Sequence, residues 1–291
     1  MSRKVIDLSK WNTVKDYEKV AKSVDGVIIR CGYRKLRTGT LTEDPSFKQH
    51  ITSLSKLGVP VGIYFFTTAI NAAEGKAEAD YAISLVESLG IKLAFPIAVD
   101  TEYSNNAHDG RSDNLSKVDR TNAVVAFCER VIERGYTPMI YASDSWFKYR
   151  LNYDSVKKYK KWVADYSNKP TIATDNMVGW QKGKTNVNGI PNPVDDNIWY
   201  DTIIEEKKDE TTTTPSNTTS TKKIVDGLVV KLTKVNLYSS STATKVASVK
   251  SGTYYVWSAV TRNKRVRITN KKENVKKTSA VTGWINVSDI K

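Results

Sequence analysis

The sequence has few residues of the kinds that build metal sites or disulfide frameworks. Its 291 residues include only two Cys and two His. Cys31 and Cys128 lack metal-ligand spacing, and we interpret both as buried thiols. A disulfide between them is the alternative, which synthesis in the cytosol disfavours. His50 and His108 also have no partner at the spacing of a metal site. We therefore expect no metal and no cofactor.

Long apolar segments are missing as well. No run of about 18 apolar residues is present, so the sequence predicts no membrane-spanning helix and no stable membrane insertion. The N-terminal segment MSRKVIDLSKWN passes from two basic residues directly into a strand-like pattern, without the apolar region and cleavage site of a secretory signal. We expect a protein that is made in the cytoplasm without a signal peptide and needs another factor to leave the cell.

Positive charge is concentrated at the C-terminal end. The formal net charge is +14, and residues 222–291 hold 15 Lys and Arg against three Asp and Glu. The segment at 205–223 is rich in Thr and Ser and has no apolar periodicity, which is typical of a linker. The sequence therefore predicts two domains, 1–204 and 224–291. The charge of the second suits an anionic surface.

Apolar and amphipathic segments alternate in the first domain. The amphipathic segments at 46–58, 73–90 and 116–135 each end in Gly and predict helices. Strand, helix and Gly in succession form the βα unit of a parallel sheet. Eight apolar segments predict strands, at 5–9, 26–33, 59–66, 93–100, 137–143, 160–166, 177–181 and 196–200. This pattern favours an α/β barrel, irregular at its end because the last three strands are too close for full helices.

Acidic residues accompany three of these apolar strands. Asp7 lies within the first, Asp100 and Glu102 end the fourth, and Asp195 precedes the last. Strand alternation directs residues 100 and 102 to the same side, with backbones about 6.6 Å apart. The active sites of such barrels lie at the C-terminal ends of the strands. Because unpartnered acids on the inward face of a barrel are costly, the pattern predicts one acidic cluster.

Such a cluster has a definite chemistry. Two neighbouring carboxyls in a partly dry pocket repel, which raises the pKa of one of them. A protonated acid beside an ionised partner is what cleavage of a glycosidic bond requires. The D-x-E pattern is short and common by itself, and two ordinary loop residues are the alternative interpretation. The acids on the other strands favour the catalytic one.

Seven motifs occur in order along residues 3–204. They are D-x-S-x-W-N at 7–12, DPSF at 44–47, VGIYFF at 61–66, VDTE at 99–102, WVADY at 162–166, GWQ at 179–181 and VDDN at 194–197. In this order they resemble the motifs of glycoside hydrolase family 25, which comprises muramidases, many of them phage and bacterial lysins. The resemblance implies an irregular (β/α)5(β)3 TIM-like barrel and hydrolysis of the β-1,4 bond between N-acetylmuramic acid and N-acetylglucosamine.

Motif by motif, the resemblance implies roles for four acids. Glu102 is the general acid, and Asp100 steadies the 2-acetamido group of the substrate or the charge that develops near it. Asp7 and Asp195 complete the cluster and hold the other two. Asp195 is preferred over Asp196, which stands where the family motif usually has an apolar residue. The estimated spacing lies near the boundary between the inverting and retaining geometries and does not choose between them.

Four aromatic residues near the strand ends are candidate sugar-binding residues. They are Tyr33, Tyr64, Tyr166 and Trp180, of which Tyr64 and Tyr166 match the aromatic positions of the family best. Each ring could stack on the face of a sugar, and packing in the core is the alternative for each.

The C-terminal domain reads as short strands punctuated by Gly, which predicts a small all-β barrel. Its segments VNLYSSS and GWINVSDIK resemble bacterial Src-homology-3-like cell-wall-binding domains. The resemblance implies binding to the cell wall, through a stem peptide or an anionic wall polymer. Nucleic-acid binding by its aromatic and basic residues is the alternative, which we do not expect beside a muramidase.

Together these features predict a peptidoglycan hydrolase, a phage or prophage endolysin that lyses a Gram-positive host. It would be made in the host cytoplasm and released to the wall by a separate membrane-lesion protein. A wall-binding protein that kept an inactive barrel is one alternative, which the joint presence of four acids disfavours. A chitinase-like hydrolase is another, which the lack of the upstream acids of D-x-x-D-x-D-x-E disfavours.

Overall fold

The computed structural model describes residues 2–200, 224–262, 265–277 and 281–290. The chain divides into two compact units, Met1–Lys208 and Asp209–Lys291. The predicted linker at 205–223 lies outside the described residues. Within the described residues, none of the helices has the length and apolar character needed to cross a membrane.

The first unit contains both strands and helices, and three successive strands end the unit. Its elements are β1 Arg3–Leu8, α1 Tyr17–Ala21, β2 Gly26–Arg34, β3 Leu41–Glu43, α2 Phe47–Lys56, β4 Val61–Phe66, α3 Ala72–Leu89, β5 Ile97–Asp100, α4 Lys117–Glu133, β6 Pro138–Ser143, α5 Asp144–Tyr149, α6 Tyr153–Val156, β7 Lys160–Ala164, β8 Met177–Thr185 and β9 Val194–Trp199. Before the final three strands, strands and helices alternate, apart from the successive pairs β2–β3 and α5–α6.

Eight strands pair in a closed ring. Their order is β1, β2, β4, β5, β6, β7, β8 and β9, and β9 pairs with β1. Within the ring, neighbouring strands from β1 to β8 run parallel, whereas β9 is antiparallel to both of its neighbours. The predicted irregular eight-stranded barrel is confirmed. The sequence reading missed β3, a short strand that pairs with β2 outside the ring.

The three long helices form where the amphipathic segments predicted them, within two residues at each end. The side chain of Asn71 caps α3 by accepting a hydrogen bond from the backbone N–H of Glu74, and Ser116 caps α4 in the same way. Gly90 ends α3 with a φ of +64°, a left-handed conformation that glycine adopts without steric cost. Local sequence therefore determines both ends of α3.

Alternation along the strands separates two apolar layers. On β1, Ile6 and Leu8 pack with the helices, whereas Val5 packs inside the barrel with residues such as Ile28 and Trp199. Asp7 shares the inward face with Val5, one step closer to the C-terminal end of β1. The barrel interior is therefore apolar at one end and receives acidic side chains at the other.

The second unit contains an antiparallel sheet in the order β10 Val229–Leu237, β11 Ser248–Arg262, β12 Arg265–Thr269 and β13 Gly283–Asn286. Two short 3-10 helices, Lys272–Asn274 and Val287–Asp289, follow β12 and β13. A bridge between Tyr238 and Trp284 brings the end of β10 next to β13. The predicted short strands are present as this four-stranded sheet, and their closure into a barrel stays a prediction.

Both cysteines lie in the first unit. Cys31 and Cys128 are buried and free, so the interpretation as buried thiols is confirmed and the alternative disulfide is absent. Cys31 belongs to β2 and Cys128 to α4, where both pack in the layer between barrel and helices.

Candidate active site

The four predicted acids converge at one end of the barrel. Asp7 comes from β1, Asp100 from the last position of β5, Glu102 from the loop that follows β5, and Asp195 from β9. All four line one small cavity of about 140 Å³. The cavity also has walls of Tyr, Trp and Gln side chains, which are Tyr64, Tyr141, Trp162, Tyr166 and Gln181.

The antiparallel direction of β9 brings Asp195 to this end. The register of β1 and β9 sets Asp7 directly opposite Asp195. In a parallel β9 the first residues would lie at the opposite end of the barrel. Two like charges directly opposite each other destabilise a sheet. The pairing of Asp7 with Asp195 therefore does not serve the packing of the barrel. Asp196 points to the other face, where it forms an ion pair with Lys182 at 2.9 Å.

Two amides hold the Asp7 carboxylate. Gln181 and Asn197 both donate to Oδ2 of Asp7, each at 3.0 Å. The oxygen of Asn197 accepts from the indole N–H of Trp162 at 2.7 Å, and the oxygen of Gln181 accepts from the Tyr141 hydroxyl at 2.7 Å. Because the oxygens are occupied in this way, the amide NH₂ groups face the carboxylate.

Burial raises the pKa of Asp7 to about 7, and the charge of Asp195 adds to this rise. The hydrogen bonds from Asn197 and Gln181 lower the pKa of Asp7 and offset part of the effect. Burial also raises the pKa of Asp195, while the ammonium of Lys184 opposes that rise. Both carboxyls therefore hold protons more tightly than ordinary aspartates do.

Asp100 is the most confined of the acids that face the pocket. It is 4% exposed, and its Oδ1 has no hydrogen-bond partner among the described residues. Burial raises the pKa of Asp100 well above its ordinary value, the charge of Glu102 raises it further, and Arg30 lowers it. A buried oxygen without a partner is costly. A donor from a bound ligand would remove that cost.

Glu102 differs from the other three because its side chain is exposed to solvent at the mouth of the pocket. The protein atoms around it still remove part of its hydration, which together with the charge of Asp195 raises the pKa of Glu102 to about 7. Arg30 opposes this rise. Glu102 thus combines an accessible carboxyl with a pKa near neutrality, the combination that a general acid needs.

Arg30 supplies a positive charge beneath the acids and is itself anchored. Its Nε donates to Oδ2 of Asp44 at 2.7 Å, and its Nη2 is buried without a hydrogen-bond partner among the described residues. The same Asp44 oxygen accepts from the backbone N–H of Lys10 at 3.1 Å. Asp44 belongs to the DPSF motif, so one of the functions of this motif is to hold the guanidinium in place.

A wider groove of about 860 Å³ extends from the small cavity and shares Tyr64, Asp100, Glu102 and Asp195 with it. Volumes of about 300–1,000 Å³ are typical of sites that bury most of a bound ligand. Its remaining walls come from the loops after β1, β2 and β5, from the segment before β9, and from residues of β2, β4 and β8 themselves. An extended ligand can therefore reach the acids from the open side.

The predicted aromatic residues separate into two groups. Tyr64 lines both cavities, Tyr33 lines the groove, and Tyr166 lines the small cavity while its hydroxyl donates to Gln181 at 2.6 Å. Trp180 is the exception, since it lies in the lining of neither cavity. It is half-buried and its indole N–H donates to the carbonyl of Asp165 at 2.9 Å. Its neighbour Gln181 takes the inward position.

Sequence reasoning missed several residues of the site. Arg30, Tyr141, Trp162, Gln181 and Asn197 were not singled out. A signal was present, because Arg30, Gln181 and Asn197 are strongly polar residues inside apolar strands. Buried polar residues at such positions need partners, and here the partners are the acids and the residues that hold them. Within the described part of the chain, no group of His, Cys, Asp and Glu is arranged to hold a metal ion.

Comparison with known proteins bears on this arrangement. A sequence profile described as "Glycosyl hydrolases family 25" matches residues 6–190. Among curated proteins, none matches the chain significantly.

Several solved structures are similar to the chain. The modular autolysin LytC from Streptococcus pneumoniae, solved in complex with a synthetic peptidoglycan ligand, is 27% identical with a TM-score of 0.61. The match covers 68% of this chain and 47% of LytC, so it spans about half of the length of the autolysin. The catalytic domain of endolysin ply40 from bacteriophage P40 of Listeria monocytogenes is also 27% identical, with a TM-score of 0.55, over 69% of this chain and 94% of the domain.

A bacterial lysozyme from Streptomyces coelicolor is 22% identical, with a TM-score of 0.54, over 68% of this chain and 92% of the lysozyme. At this level of identity the likeness shows the fold alone. The family profile, by contrast, matches more than half of the chain and includes Asp7, Asp100 and Glu102. The protein therefore belongs to glycosyl hydrolases family 25.

Proposed function

We propose that the protein is a muramidase that hydrolyses the β-1,4 bond between N-acetylmuramic acid and N-acetylglucosamine in peptidoglycan. The observation that carries the proposal is the position of Glu102. Its carboxyl is accessible from the groove and has a pKa of about 7, and three further carboxyls lie around it. Two relatives that are 27% identical, an autolysin solved with a peptidoglycan ligand and a phage endolysin, support the choice of substrate.

Glu102 acts as the general acid. Its pKa of about 7 keeps a substantial protonated fraction at neutral pH, and this form donates its proton to the oxygen of the glycosidic bond as the bond breaks. Asp7, Asp100 and Asp195 lie too deep or are too strongly engaged for this task. Among the four acids Glu102 is the one whose side chain is exposed at the groove while its pKa is raised to about 7.

Asp100 and Asp7 have supporting roles. The unpartnered Oδ1 of Asp100 accepts the N–H of the 2-acetamido group of the substrate, which orients that group at the reacting carbon. Asp7, fixed by Gln181 and Asn197, lies opposite Asp195, whose charge helps to raise the pKa of Glu102. Ionised carboxyls of this cluster stabilise the positive charge that develops on the sugar.

The test is digestion of purified Gram-positive peptidoglycan by the wild type and by Glu102→Gln, with mass spectrometry of the released sugar ends. We expect reducing N-acetylmuramic acid ends from the wild type and a loss of at least about 10²-fold in rate in the variant. Reducing N-acetylglucosamine ends would contradict the proposed bond. Undiminished activity of Glu102→Gln would contradict the proposed acid.

We also propose that the second unit is a Src-homology-3-like domain that attaches the enzyme to the wall, as in a phage or prophage endolysin. Fifteen Lys and Arg against three Asp and Glu in residues 222–291 suit an anionic wall polymer. Attachment would raise the concentration of the enzyme at its substrate. Sedimentation with walls before and after removal of teichoic acid tests this, since equal binding to both would exclude the polymer as the ligand.

A further inference from the structure

The outer part of the groove contains a tryptophan that the acids do not explain. Trp11 lies on the loop after β1, lines the groove and is 75% exposed. A single exposed aromatic residue is ordinary on a protein surface. What distinguishes Trp11 is its position in the wall of a cavity that leads to the candidate active site.

The turn that carries Trp11 is held by four hydrogen bonds. The side chain of Asn12 accepts from the backbone N–H of Ser9 at 2.8 Å, and the N–H of Asn12 donates to the carbonyl of Ser9 at 2.9 Å. The N–H of Trp11 donates to the Ser9 hydroxyl at 3.4 Å, and that of Lys10 to Asp44 at 3.1 Å. The backbone is thus organised before a ligand arrives, which lowers the entropic cost of binding.

Aromatic rings and cations alternate from Trp11 toward the acids. The ammonium of Lys10 lies 4.7 Å from the ring centre of Trp11 and 5.1 Å from that of Tyr33. On the inner side, the guanidinium of Arg30 lies 5.5 Å from the Tyr33 ring. All four side chains line the groove. Because Arg30 lowers the pKa of Glu102, the inner end of this row lies within electrostatic reach of the proposed general acid.

The chemistry of the row fits a sugar that carries a negative charge. Flat rings offer apolar surface to the face of a pyranose, and a cation beside them attracts an acidic substituent. Within the described residues, Lys10 makes cation–π contacts and no ion pair. Its charge is thus available to a ligand. Trp11 follows Asp7 by four residues, so their Cα atoms are at most about 14 Å apart. The row therefore lies beside the acids, at the position of a neighbouring sugar.

We propose that Trp11, Lys10 and Tyr33 form a second sugar subsite, which binds a ring bearing a carboxylate. Trp11 and Tyr33 contact the ring, and Lys10 pairs with the carboxylate. The proposal rests on the proposed peptidoglycan hydrolysis. In that substrate the carboxylate belongs either to the lactyl group of a muramic acid without its stem peptide or to the stem peptide itself.

The test uses the full chain and three glycan substrates. These are strands without stem peptides, the same strands with their lactyl carboxylates converted to methylamides, and strands that keep their stem peptides. The variants are Trp11→Ala, Trp11→Phe and Lys10→Met. Lys148 and Tyr149 offer a matched control, because the Lys148 ammonium lies 4.9 Å from the ring centre of the exposed Tyr149 and neither residue lines the groove.

We expect Trp11→Ala to raise KM about tenfold on all three substrates with kcat nearly unchanged, since truncation of a tryptophan that contacts a ligand commonly costs about this much. Trp11→Phe keeps a ring and should retain most of the affinity. Lys10→Met should raise KM about two- to fivefold where the recognised carboxylate is present, and have no effect on the methylamide strands. A rise only with bare strands identifies the lactyl group, and a rise only with stem-bearing strands identifies the peptide.

Equal KM values for Trp11→Ala and wild type would overturn the subsite, as would an equal effect of Lys148→Met and Tyr149→Ala. An effect of Lys10→Met on the methylamide strands would overturn the role of the carboxylate. If the wild type cleaved none of the strands, the proposed hydrolysis would fail separately. Calorimetric titration of the same strands into wild type and Trp11→Ala would then decide the subsite, with equal affinities contradicting it.

Discussion

The two ends of the barrel interior are built on the same strands and differ completely in chemistry. At one end Val5, Ile28 and Ala98 pack with Trp199 in an apolar layer. Two residues further along the same strands stand Asp7, Arg30 and Asp100. Strand alternation gives both sets the same inward direction. The alternation of side chains along a strand decides which residues face the barrel interior. The position of such a residue along the strand decides whether it packs in the apolar layer or lines the candidate active site.

The apolar end should respond most strongly to truncation. Trp199 is 1% exposed, packs edge-on against Phe95 with ring centres 5.0 Å apart, and covers Gly179. We expect Trp199→Ala to lower the free energy of unfolding by about 3–5 kcal/mol, because it leaves a large cavity. Urea denaturation measures this change.

Trp199→Phe is the matched control for that experiment. It keeps a ring and removes an indole N–H that has no hydrogen-bond partner among the described residues. Its cost should therefore be much smaller. A similar loss in both variants would mean that the ring volume at position 199 does not determine the stability of this layer.

At the acidic end, a substitution that removes a carboxyl should raise the free energy of unfolding instead of lowering it. The pKa of Asp7 is raised to about 7, so the folded protein binds more protons than the unfolded chain between about pH 4 and pH 7. Stability contributed by this group is therefore lost as pH rises through that window. We expect Asp7→Asn to raise the free energy of unfolding at pH 8 by about 1–3 kcal/mol while it impairs hydrolysis.

Urea denaturation of the wild type and Asp7→Asn from pH 4 to pH 8 measures this effect. Asparagine can still accept the hydrogen bonds from Gln181 and Asn197 through its Oδ1, so the variant should fold. The stability of the variant should depend less on pH than that of the wild type. Parallel curves would contradict the proton uptake assigned to Asp7.

The smallest expected effect is a decline of activity at alkaline pH. Because the pKa of Glu102 is about 7, hydrolysis should decline above this pH, approaching a tenfold loss for each further unit. The dependence of kcat on pH with soluble glycan strands measures this limb. Trp199→Phe, altered only at the apolar end, should keep the same limb. A decline that begins above pH 9 would exclude Glu102 as the group that must be protonated.

The order of elements followed closely from the sequence. The eight apolar segments became the eight barrel strands, and the long helices begin and end near the predicted residues. These features depend on local periodicity and on capping residues, which adjacent positions encode. The short strand β3 was missed because three residues carry too little pattern.

The site was predicted in part. The acids stand out in the sequence because charge interrupts or directly follows apolar strands. Gln181 and Asn197 did not stand out, although both hold Asp7, because their importance comes from a partner more than 170 positions away in the chain. Trp180 was a candidate and lies outside both cavities, since β8 turns Gln181 inward in its place.

The sequence by itself determined the strand and helix periodicity, the acidic residues at the strand ends, and the separation of charge between the two parts of the chain. Only the tertiary structure decided that β9 runs antiparallel, and therefore that Asp195 faces Asp7. It also decided that Glu102 is exposed to solvent while Asp100, which lines the same groove, is buried. The physical reason is that periodicity is a local property. The pKa of a carboxyl depends instead on burial and on charges that distant segments bring into contact.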